Sequence, residues 1–119
     1  MDDKLQSLIE FEISLFCEKV LVCISSSTDV LKDLFPNLRL SEDDKPKLGL
    51  SFGAMHKDGS YRRVIWLKKW DITTFIHEAY HLTKYVLDHA GIECHETGAY
   101  LMEFVCSETI KGLPETKQT

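Results

Sequence analysis

A chain of 119 residues, 44% apolar and 28% charged, has the make-up of a single globular domain over 1–119 that can bury a modest core without staples. A net charge of −5 argues against nucleic acid as the main partner, and the four cysteines (Cys17, Cys23, Cys94, Cys106) form no C-x-x-C pair, the pattern of free, mostly buried thiols in a reducing cytoplasm. Glu10, Glu12, Glu18 and Lys19 break the apolar runs near the start, so neither a secretory leader nor a membrane span is expected.

Residues 9–24 alternate, with Ile9, Phe11, Ile13, Leu15 and Cys17 on one parity and Val20, Val22 and Ile24 beyond Glu18-Lys19. Period two favours strands, either a hairpin or one bulged strand, while a helix over 3–16 stays open. Ser25 to Thr28 offer N-caps for a short helix over 29–35, which Pro36 stops. Residues 37–47 are polar, contain Pro46 and read as a loop. The segments 48–55 and 61–68 flank Asp58-Gly59, the strongest turn signal in the chain, and form a hairpin. The cluster Arg62, Arg63, Lys68 and Lys69 on that hairpin reads as a solvated strand face.

Asp71 is a good N-cap and Gly91 a good terminator, giving a helix over 72–90 whose stripe Ile72, Ile76, Ala79, Leu82, Val86 and Ala90 should meet the sheet. A last helix runs over about 96–111 and ends at Gly112 and Pro114, and the polar tail 115–119 is expected to fray. The order implies an α+β domain: a small antiparallel sheet of three or four strands with about three helices packed on one face.

Within the 72–90 helix lies His77-Glu78-Ala79-Tyr80-His81, an H-E-x-x-H pentapeptide. Histidines at i and i+4 share a helix face, so both imidazoles can reach one Zn²⁺, and the carboxylate beside the first can act as general base toward a metal-bound water. On a helical wheel both histidines point away from the Ala79 stripe; plain solvation would explain an exposed pair, but not the intervening Glu78 or the apolar flanks Phe75, Ile76 and Leu82. A third ligand has to come from beyond Gly91. His89 lies about 12 Å from His81 along the same helix and cannot supply it. The candidates are His95, Glu96 and Glu103, with Glu93 behind them. A tight turn at 92–95 would bring Glu103 level with His81, whereas an extended path would bring Glu96 there.

The run from Trp70-Asp71 through the pentapeptide to Gly91, followed by Glu96-Thr97-Gly98-Ala99-Tyr100-Leu101, resembles small zincin-like proteins of phages and prophages, akin to minimal gluzincin-type metallopeptidase domains. The resemblance covers about the C-terminal third. It implies that His77, His81 and Glu96 ligate zinc, that Glu78 is the base, and that the host cytoplasm is the compartment. The larger gluzincins add an oxyanion-stabilising Tyr or His from a second lobe. In this chain Tyr80, Tyr85, Tyr100 and His95 are available for that role, with Tyr100 the candidate. A protein or peptide bound along an exposed strand of the 48–68 hairpin is the expected partner. The alternative is a non-catalytic protein on the same scaffold that binds and modulates a host or phage protein.

Overall fold

The computed structural model describes residues 5–40 and 48–114. The expected frayed tail at 115–119 and the 41–47 part of the expected loop lie outside the described residues. The elements in order are β1 (Leu5–Ile13), a 3-10 turn (Ser14–Phe16), β2 (Glu18–Ser25), α1 (Asp29–Leu34), β3 (Gly49–Met55), β4 (Tyr61–Leu67), α2 (Ile72–Ala90) and α3 (His95–Gly112). The first alternating segment is therefore a hairpin, with Cys17 in the left-handed conformation at its turn. No described helix is long and apolar enough to cross a membrane.

The sheet has the order β1-β2-β4-β3, and it is mixed, not antiparallel as expected. β1 and β2 pair antiparallel, as do β3 and β4, but the two hairpins join through parallel β2 and β4, with Val20 beside Arg63 and Ile24 beside Leu67. Between these two parallel strands the chain contains α1 and β3.

The helices also fail to share one face. α2 and α3 cover Val20, Val22, Ile24, Ile65 and Leu67, whereas α1 covers Leu21, Cys23, Val64 and Trp66 on the opposite side. The cause is visible in Val20-Leu21-Val22-Cys23-Ile24 and Val64-Ile65-Trp66-Leu67. These runs are buried throughout, and a strand that is apolar at both parities needs a layer on each face. On the α1 side, Trp66 Nε1 donates to Ser25 Oγ at 2.8 Å, so the indole is buried without an orphaned donor.

Three further expectations change. The buried stripe of α2 is Phe75, Ala79, Leu82 and Val86, flanked by Glu78, Thr83 and Leu87, while Ile72, Ile76 and Ala90 are exposed. Arg62 and Arg63 are buried rather than solvated, one on each face of β4. Arg62 pairs with Glu10 and Asp58, and Arg63 lies over the Tyr85 ring. Cys23 is buried and its thiol is pushed up to about 11, but Cys17 and Cys94 are exposed.

α2 begins as expected: the Asp71 carboxylate accepts from the Thr74 N–H at 3.2 Å and the Thr74 hydroxyl at 2.5 Å. These donors hold the Asp71 carboxyl below its ordinary value. Its contribution to stability is therefore present at neutral pH and is lost as pH falls below about 4 through the folded value. Asp71→Asn keeps a capping side chain and removes this titration, so its melting temperature should decline less steeply in acid than that of the wild type. Ser25→Ala leaves the Trp66 N–H buried without its acceptor and should cost about 1–3 kcal/mol in urea denaturation.

Candidate metal centre

α2 presents His77 and His81 on its solvent side, one turn apart. Their Nε2 atoms converge to 3.2 Å, with ring centroids 4.7 Å apart and planes at 80°. Two Zn–N bonds of about 2.0–2.1 Å at a tetrahedral angle hold their nitrogens about 3.3 Å apart. The pair is thus already set at the spacing of two ligands on one ion. The same spacing also suits a single N–H···N bond between the rings.

Glu78 takes a different direction. It is 8% exposed, on the side of α2 that meets the edge strand β3. Its Cγ lies 3.2 Å from where Gly49 would carry a Cβ, and Thr74 Cγ2 lies 2.8 Å from the same point. A Cβ at 49 would require the Thr74 methyl to shift and would crowd the Glu78 stem, so the glycine leaves room for both side chains against the strand.

The remaining site residues from the sequence are not gathered here. Thr83 contacts Met102 Sδ at 3.3 Å, and Leu87 Cδ1 lies 3.3 Å from the position of a Cβ on Gly98, so α2 and α3 run antiparallel. Counting from these pairs, Glu103 and Phe104 come level with His81, and Glu96 comes level with His89. Glu96 is therefore about 12 Å along the axis from His81. The chain leaves α2 through Gly91 in the left-handed conformation, with the Ile92 N–H bonded to Leu87 O at 2.9 Å, a compact exit that sets this register. Among the described residues, no group of three or more His, Cys, Asp or Glu side chains stands close enough to hold a metal. The pair fits two coordination positions, and the described residues do not supply a third.

Tyr100 is 62% exposed and lines an apolar cleft of about 340 Å³ with Leu15, Phe16 and Phe104, on the β1 side of α3. Beside the pair stands Tyr80, whose ring centroid lies 6.3 Å from that of His81. Tyr80 also borders a cleft of about 520 Å³, which runs between α2 and α3 to Cys94 and His95. Cys94 sits at the N-cap of α3, where donors of Thr97 and Glu96 hold its thiol below the ordinary value.

No family model, curated protein or solved structure matches the chain.

The register gives a direct test. Glu96→Ala should leave zinc affinity within about twofold of the wild type in a competitive chelator titration. A loss near the 10–100-fold scale of a ligand-supporting group would place Glu96 at the ion instead.

Proposed function

We propose that the chain is a zinc-dependent hydrolase of minimal zincin-like type that acts on peptide-like substrates laid along β3. The observation that carries this reading is the convergence of His77 and His81 Nε2 to 3.2 Å beside a glutamate turned toward the edge strand. His77 and His81 would hold the metal through Nε2. Zinc, when bound, supplies Lewis acidity and an acidified water. Glu78 is the residue to accept the proton of the attacking water, at a carboxylate oxygen. β3 has no partner on its outer side among the described residues, so an extended substrate can add there through main-chain hydrogen bonds. Tyr80, whose ring lies 6.3 Å from that of His81, would be the donor to a developing oxyanion.

One observation favours a second reading, a non-catalytic protein that binds a protein or peptide partner: no third donor joins the pair among the described residues. Metal analysis followed by a peptide-library cleavage screen separates the two readings. The hydrolase reading expects zinc-dependent cleavage in the wild type and, in Glu78→Gln, retained zinc with cleavage reduced by at least about 10²-fold. Cleavage surviving in that variant overturns the assigned base. A purified chain that holds no metal and cleaves no peptide favours the binder, whereas zinc without cleavage is compatible with both readings.

A further inference from the structure

Arg63 is the buried charge for which neither function above accounts. It is 6% exposed and projects from β4 on the face that α2 covers. Its guanidinium carbon lies 3.7 Å from the centroid of the Tyr85 ring, and Nη1 donates to the Tyr61 hydroxyl at 3.1 Å. Nε is buried and has no hydrogen-bond partner, and among the described residues no carboxylate pairs with the group. Its neighbour Arg62 has two carboxylates, Glu10 and Asp58. A guanidinium taken out of water with only a phenol and a π face for partners is undercompensated, and a carboxylate is the complement its planar fork fits.

The direction of the side chain identifies where that carboxylate would come from. Arg63 pairs with Gly53 of β3, and a Cβ on Gly53 would collide with both Arg63 Nη1 and the Tyr61 hydroxyl. The guanidinium therefore reaches sideways across Gly53, from the central strand toward the outer side of β3, which no other described strand covers. A strand added to β3 would run about 4.8 Å further out. Its side chain opposite Gly53, on the α2 face, would lie beside the guanidinium, and Tyr61 is exposed and free to yield its place.

We propose that β3 binds an extended peptide segment carrying an internal acidic side chain, and that Arg63, reaching over Gly53, is the residue that reads it. Gly49, beside Glu78, and Gly53 are four residues apart on β3, about 13 Å. The acidic residue thus binds about four positions from the segment lying at Glu78. The hydrolase reading is needed only for that offset, since ligand recognition itself needs no metal.

The test is calorimetric titration of the full chain in EDTA, with acetylated and amidated Thr-Ser octapeptides in which one Asp is walked through all positions. The matched Asn peptides and one neutral peptide with a free C-terminal carboxylate are the controls. Working without metal keeps a failure of this proposal separate from a failure of the hydrolase reading. The expected result is at least tenfold tighter binding of an Asp peptide than of its Asn partner at one position. That preference should fall below twofold in Arg63→Gln. If Arg63→Gln does not fold, Gly53→Ala decides in its place, because a methyl group there displaces the guanidinium but keeps the charge. Equal binding of Asp and Asn peptides, no binding of any internal Asp peptide, binding of the free carboxylate alone, or a preference that survives in the deciding variant overturns the proposal.

Discussion

The parallel contact between β2 and β4 governs the rest of the molecule. Both strands are buried on both faces, so neither can be covered by a single layer of helices. α1 is drawn to one side, and α2 with α3 to the other. The same contact sends β3 to the outside of the sheet, next to α2, because β3 pairs with β4 on the side that β2 leaves free. Glu78 and the edge strand β3 become neighbours through this chain of constraints. The motif alone does not make them so.

Much of this was legible in the residues. Asp58-Gly59 marked the second hairpin, and Asp71 and Gly91 bounded α2 at the residues observed. The layer arrangement was less accessible. Alternation at Ile9, Phe11 and Ile13 suits a strand covered on one face, but between Val20, Val22 and Ile24 stand Leu21 and Cys23, which are apolar and buried as well. That uninterrupted run was the signal for a second layer. Strand direction could not be read at all, since no local residue pattern distinguishes a parallel from an antiparallel neighbour for β2.

At the candidate site the local geometry followed from spacing and the long-range geometry did not. Positions i and i+4 are enough to bring His77 and His81 together. Whether Glu96 or Glu103 comes level with them depends on a four-residue exit from α2, and Ile92-Glu93-Cys94-His95 has no turn residue to announce a compact path. The charged pair on β4 fails for a related reason. Arg62 and Arg63 are alike in sequence, but the pleat sends them to opposite layers, one to carboxylates and the other to an aromatic ring.

The two edges of the sheet carry unequal protection. β1 bears Glu10 and Glu12, charges that discourage another strand from docking, whereas Gly49–Met55 contains no charged residue. Self-association of this chain should therefore begin at β3 and grow with concentration. A strand seated on that edge would at the same time shield the chain from such association.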